Sequence, residues 1–204
     1  MSDSDRSPDI LPWPVVSDET VGEYSIFSLS RTVRRSPATG RQHQFLRLDA
    51  PDWVNVVAVT PSADLVLVEQ YRHGTNSVTL EIPGVAVDAG EYPEEAASRE
   101  LEEETGYRAG ELYLLGTVEP NPAFLSNRCF TFLAVGCQPV GVVDLDPGEE
   151  IALRLVPLTR FGDLIDRGDI THSLVIAAHD HLQRSLRRGE PWIEALGEES
   201  SATG

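Results

Sequence analysis

Residues 99–107 read RELEEETGY, which places Glu100, Glu102, Glu103 and Glu104 within five positions. On a helix, turning about 100° per residue, Glu100, Glu103 and Glu104 share an arc of roughly 100° while Glu102 points to the far side. Leu101 and Ala97 lie beside Glu104, so the acidic stripe borders the face expected to pack on a sheet. Such a stripe is either a solvated charged face without a function or a set of hard oxygen ligands suited to magnesium, manganese or calcium. The preceding loop, PGVAVDAGE, favours the second reading. It is expected to bend at Gly84 and Gly90 and to bring backbone carbonyls towards the stripe. Glu91 and Arg99 would brace loop and helix through a charge-assisted bond, with Arg99 directed away from the stripe.

Other chemistry-bearing residues are less promising. In HDH, residues 179–181, the two imidazoles stand about 200° apart on a helix and do not share an ion. Cys129 and Cys137 bound CFTFLAVGC; on one strand they would be roughly 26 Å apart, too far for a disulfide, and are expected to be buried thiols. All 16 basic residues are arginine, against 33 acidic ones, for a net charge of −17. That balance excludes nucleic-acid binding through a basic surface. It also requires local arginines or a metal to hold any anionic substrate. No run reaches the length of about 18 apolar residues that a membrane helix needs. The opening MSDSDRSPDI has no basic-then-apolar pattern, so a cytoplasmic protein is expected.

The elements that must position the stripe follow from pattern and punctuation. EYSIFSLSRTV and QHQFLRLDA, joined by SPATG, read as a strand pair with one wet face. WVNVVAVT and LVLVEQY flank the turn PSAD, and VTLEIPG is a further strand stopped by Pro83 and Gly84. Pro93 suits the first turn of the acidic helix, Glu94 and Glu95 its positive end, and Gly106 its left-handed stop. ELYLLGTV, RCFTFLAVGC and EIALRLVPL read as strands. A short helix in LTRFGDLIDRGD precedes a long one, whose buried face is expected at Leu174, Ala177, Ala178 and Leu182. The order strands, helix, strands, helices predicts an α/β fold with a mixed sheet covered by helices.

The stretch VAVDAGEYPEEAASRELEEETGY resembles the Nudix box, G-x5-E-x7-R-E-U-x-E-E-x-G-U with U an aliphatic or aromatic residue. Glu91, Arg99, Glu100, Leu101, Glu103, Glu104, Gly106 and Tyr107 match in register, whereas Val85 stands at the opening glycine and Gly84 one residue early. The flanks VEQYRHGT and LEIPG, with Pro122 in EPNPAF, resemble the ADP-ribose pyrophosphatase branch of the family. The resemblance implies a Nudix fold, a mixed β-sheet sandwiched between helices, with a small N-terminal antiparallel β extension. It divides the chain into a disordered 1–12, the extension at 13–49, the Nudix domain at 50–188 and a flexible tail at 189–204. Glu100, Glu103 and Glu104, with the Gly84 carbonyl, would hold Mg²⁺ or Mn²⁺, while Glu91 and Arg99 support the cluster. Arg72 is the implied phosphate contact, or else a member of a surface ion pair. Glu149 or Glu150, in DLDPGEEIAL, would serve as general base, and Phe124 and Tyr24 (or Phe27) would stack on a base. The implied activity is Mg²⁺-dependent hydrolysis of a nucleotide sugar, foremost ADP-ribose to AMP and ribose 5-phosphate, by a homodimer joined through the N-terminal strands. A GDP-sugar hydrolase and a non-catalytic nucleotide sensor are the alternatives. Loss of glycine's freedom at residue 85 is expected to tilt the loop.

Overall fold

The structure, a computed structural model, describes residues 10–141, 143, 145 and 150–196. The chain forms two units: residues up to Ala50 with Asn121–Asn127, and Pro51–Pro120 with Arg128 onward.

In the first unit, β1 (Val15–Glu23), β2 (Ser28–Arg35) and β3 (Gln42–Asp49) form an antiparallel sheet in that order. The β2–β3 hairpin is closed by SPATG, where Gly40 takes φ 70°. The 121–127 loop docks on β3: Leu48 N–H donates to the Phe124 carbonyl at 2.8 Å, and Ser126 N–H to that of Leu48 at 3.1 Å. This unit is too thin to bury its apolar residues. Val15, Val16, Val21, Tyr24, Phe45 and Leu46 are all exposed.

The second unit contains β4 (Trp53–Val59), β5 (Asp64–Arg72), β6 (Ser77–Glu81), β7 (Gly84–Ala86), α1 (Pro93–Thr105), β8 (Tyr107–Arg108), β9 (Glu111–Val118), β10 (Cys129–Val135), β11 (Gln138–Pro139), β12 (Ile151–Pro157), α2 (Phe161–Asp166) and α3 (Ser173–Arg188). Its main sheet runs β12-β5-β4-β10-β9, with β6 on β5 and β7 on β4; β8 and β11 form a separate ribbon. The β4–β10 pair is parallel and the other pairings are antiparallel, so the sheet is mixed. Residues 54–59 of β4 are all buried, as a strand covered on both faces must be. Alternation sends Val54, Val56 and Ala58 to the face packed against Ala96, Ala97 and Leu101 of α1. Val57 and Val59 pack on the opposite side with Phe161 of α2 and Val175, Ala178 and Leu182 of α3.

Two expectations change here. The buried face of α3 is set by Val175, Ala178, Leu182 and Ser185; Leu174 and Ala177 are only partly covered. Five consecutive apolar residues, 174–178, leave the phase of the helix ambiguous until the sheet selects one face. Residues 191–196 form a 3-10 turn that seats Trp192 in the core beside Tyr113. The region expected to be a tail therefore contributes to packing as far as that turn; residues 197–204 lie outside the described ones.

Candidate active site

The acidic stripe is positioned by the two ends of α1. Tyr92 N–H donates to Glu95 Oε2 at 3.1 Å at the start. At the end Gly106 takes φ 70° and its N–H donates to the Glu102 carbonyl. With Ala96, Ala97 and Leu101 fixed on the sheet, the rotation of the helix is set. Glu100 and Glu104 are then buried, 6% and 5% exposed, while the Glu103 side chain is 44% exposed. Glu102, on the far side, forks onto Arg108.

Arg99 binds Glu91 through Nε and Nη2 at 2.9 and 3.1 Å, and its Nη1 meets Glu103 at 2.8 Å and Glu100 at 3.5 Å. Its stem starts off the stripe, but three methylenes let the guanidinium reach back across it, contrary to the direction expected from the helical wheel. The Glu91 hydrogen bond, opposed by burial and reinforced by Glu103, raises the Arg99 pKa further above its ordinary value. The same bond holds the Glu91 carboxyl below its usual range.

Gly84 lies in a strand and makes no bend; the turn comes at Gly90, with φ 88°. A methyl group on Gly84 would stand 2.7 Å from the Val54 carbonyl oxygen and 2.7 Å from Asn55 Oδ1, so glycine is required there for close approach. Its N–H donates to Glu104 Oε2 at 3.3 Å. Val85 has no left-handed dihedral and packs partly against the α1 side of the core. The expected tilt from losing a glycine at 85 therefore has no backbone cause.

Arg72 forks onto Glu81, both bonds 2.9 Å. Glu81 is buried and also accepts from Thr79 at 2.6 Å, with His172 Nδ1 3.5 Å away. Burial pushes the Glu81 carboxyl up, but hydrogen bonds from Arg72 and Thr79 outweigh it and leave the pKa lowered. Arg72, Glu81, His172, Trp53 and His73 line a cleft of about 560 Å³. Glu81 and His172 escaped the sequence reading. The signal available was an acidic residue beside Ile82 in an otherwise apolar strand end, a place where a charge needs a partner.

Phe124 and Tyr24 lie in the first unit. Phe124 lines a cleft of about 290 Å³ with Trp13, Phe45 and Arg47; Tyr24, packed on Phe27 at 5.0 Å, is not among its walls. Glu150 is exposed just before β12, and Glu149 lies outside the described residues. His179 packs edge-on against Phe161, and the His181 ring lies over Gly116. Cys129 and Cys137 are free and buried, their thiols pushed up by burial to about 12 and about 11.

Buried carboxylates at Glu100 and Glu104 form a hard oxygen donor set, and its chemistry fits a divalent cation. As placed, Glu103 is turned to Arg99. Among the described residues no three His, Cys, Asp or Glu side chains gather closely enough to hold an ion.

The chain belongs to the Nudix family, whose domain matches residues 51–178. It is an enzyme of the Nudix hydrolase class, which works generally with divalent cations. It is similar to the ADP-ribose pyrophosphatase of Mycobacterium tuberculosis, 30% identical over 164 residues that cover 79% of each chain. The ADP compounds hydrolase NudE of Escherichia coli is 29% identical over 181 residues, 87% of this chain and 92% of the relative. The crystal structure of an ADP compounds hydrolase superposes with a TM-score of 0.79 at 24% identity, over 90% of this chain and 98% of that one, and supports the fold. No helix among the described residues is long and apolar enough to cross a membrane.

Proposed function

We propose that this enzyme hydrolyses the diphosphate bond of a nucleoside diphosphate sugar, foremost ADP-ribose, to AMP and ribose 5-phosphate with Mg²⁺ as cofactor. The observation that carries the reading is the pair of buried carboxylates, Glu100 and Glu104, held on one face of α1 with the Gly84 N–H on Glu104. Two neighbouring carboxylates out of water are unfavourable unless positive charge faces them. Glu100, Glu103, Glu104 and the Gly84 carbonyl would hold the metal. A bound divalent ion would screen the diphosphate, polarise phosphorus and lower the pKa of a coordinated water. Arg99 keeps Glu91 and Glu103 on one loop-and-helix frame, and release of Glu103 from Arg99 would let it join the other two carboxylates. Arg72 is poised in the cleft wall as the positive group for a phosphate, its direction fixed by Glu81. Glu149 or Glu150 remains the proposed general base. The relatives named above as acting on ADP-ribose or ADP compounds support an adenine nucleotide, and buried free thiols suit a cytoplasmic setting.

The test is product analysis after incubation with ADP-ribose, with and without Mg²⁺, beside Glu104→Gln and a GDP-sugar arm. AMP and ribose 5-phosphate that need Mg²⁺, reduced at least about a hundredfold by Glu104→Gln, are expected. Cleavage of the GDP-sugar alone would move the substrate; metal-independent turnover would overturn the role of the carboxylates.

A further inference from the structure

Asn55 is out of place in the strand that carries it. On the α3 side of β4, Val57 and Val59 belong to the apolar core, and Asn55 lies on the same face two residues before Val57. It is 2% exposed. Its Oδ1 accepts the Trp53 indole N–H at 3.0 Å. An indole N–H can only donate, so the atom facing Trp53 is the oxygen and Nδ2 is turned away from it. Nδ2 is buried and has no hydrogen-bond partner among the described residues.

The neighbours of Asn55 in register are informative on both sides. On β10 stands Thr131, buried, its hydroxyl likewise without a partner among the described residues. On β7 stands Gly84, whose Cα has no room for a methyl group because Asn55 Oδ1 and the Val54 carbonyl close over it. Gly84 in turn donates to Glu104. The amide of Asn55 is thus a fixed wedge between an indole and the strand that reaches a site carboxylate. Sheet stability does not call for it. Valine or leucine at 55 would continue the apolar row of Val57 and Val59, and a buried amide lacking a partner for its N–H opposes folding. A buried polar group set against the local preference calls for an explanation beyond packing.

We propose that Asn55 is a positioning residue for the hydrolysis: oriented by Trp53, its amide sets the seat of Gly84 and thereby the aim of the Glu104 carboxylate. The inference rests on reading Glu100 and Glu104 as site carboxylates. Trp53 also lines the 560 Å³ cleft, so a ligand pressing on the indole would be felt at Gly84 through Asn55.

Asn55→Leu is the main test, because it keeps the branching of the side chain and replaces its two polar atoms with methyl groups. The melting temperature should change little, because relief of the unpaired Nδ2 is offset by loss of the acceptor for the Trp53 indole N–H. Per folded molecule, kcat should fall about tenfold or more while KM for ADP-ribose changes less than about threefold. Mn²⁺ binding to substrate-free protein, read by electron paramagnetic resonance, should weaken several-fold. Trp53→Phe, which leaves Asn55 but frees its amide, should move kcat and Mn²⁺ affinity the same way to a smaller extent. Asn55→Leu with kcat and Mn²⁺ affinity within about twofold of wild type overturns the proposal. If Asn55→Leu does not fold, Trp53→Phe decides on the same two readouts, and unchanged values overturn it. Wild-type protein that binds no Mn²⁺ and cleaves no nucleotide sugar overturns the reading of the carboxylates instead.

Discussion

Gly84 and Val85 show how differently space and dihedral angle constrain adjacent residues. Gly84 is confined by the Val54 carbonyl and the Asn55 amide, whereas Val85 has no left-handed dihedral and packs partly on the α1 side of the core. Val85→Gly should therefore bring no gain in kcat and should lower stability by roughly 1–2 kcal/mol, through lost packing and added backbone freedom. Gly84→Ala should do more harm: the new methyl meets backbone, so β4 or β7 has to shift and Glu104 loses its N–H partner. Steady-state kinetics and urea midpoints on the two variants check both statements; a more active Val85→Gly would restore the importance of the missing box glycine. Here the sequence was legible only in part. The register of the charged box residues was plain, but the crowding at Gly84 comes from a strand some thirty residues upstream, and no local pattern announces it.

The elements were easiest to read where their signals are local. The bounds of α1 follow from Pro93 and Gly106, and the hairpin from PSAD, because caps and turns are decided within a few residues. What could not be read was pairing across distance. Arg72 and Glu81 sit at the ends of adjacent strands, but His172 enters from the start of α3 and was invisible beside them. The sequence makes Arg99 a brace between loop and helix, but its reach to Glu103 and Glu100 depends on a side chain folding back over the helix. At this scale the brace makes a prediction. Arg99→Ala removes an arginine that joins Glu91 to Glu103, so loop 87–92 should lose protection in amide hydrogen exchange while the interior of α1, anchored by Leu101, keeps it. Leu101→Ala should instead destabilise the whole second unit by about 2–5 kcal/mol. Equal loss of protection along α1 in Arg99→Ala would show that the arginine stabilises the helix itself.

The molecule as a whole responds to acid through carboxyls in both units. The Asp49 carboxyl is lowered to about 2, chiefly by its hydrogen bond from Arg47, opposed by burial and aided by Ser30. Glu81 and Glu91 are lowered as well. A depressed folded-state pKa contributes stability that is complete above the unfolded value, 3.8 for Asp and 4.5 for Glu, and is lost as pH falls through the folded one. Burial also lowers the pKa of His179 and His181 from 6.5, so melting temperatures should begin to fall below about pH 6.5 and fall further below about 4 as the carboxyls protonate; a level curve down to about pH 5 would show that the two histidines contribute nothing. The exposed apolar residues of the three-stranded unit lead to a proposed homodimer through those strands. Light scattering should then give about twice 22.4 kDa, and Ile26→Glu with Leu46→Glu should return it to the monomer value. A wild-type monomer across micromolar concentrations would count against that arrangement.

The two buried thiols supply a clock that needs no engineering. Both belong to the second unit, Cys129 in its central sheet and Cys137 just beyond the same strand, and neither is a reactive thiolate while covered. A maleimide or disulfide reagent would react only in molecules that have opened, so the labelling rate reports the free energy of opening for the sheet on which α1 packs. With no lysine in the chain, the usual competing nucleophile is missing from the background. Labelling with and without a bound nucleotide would read ligand affinity as a change in that rate.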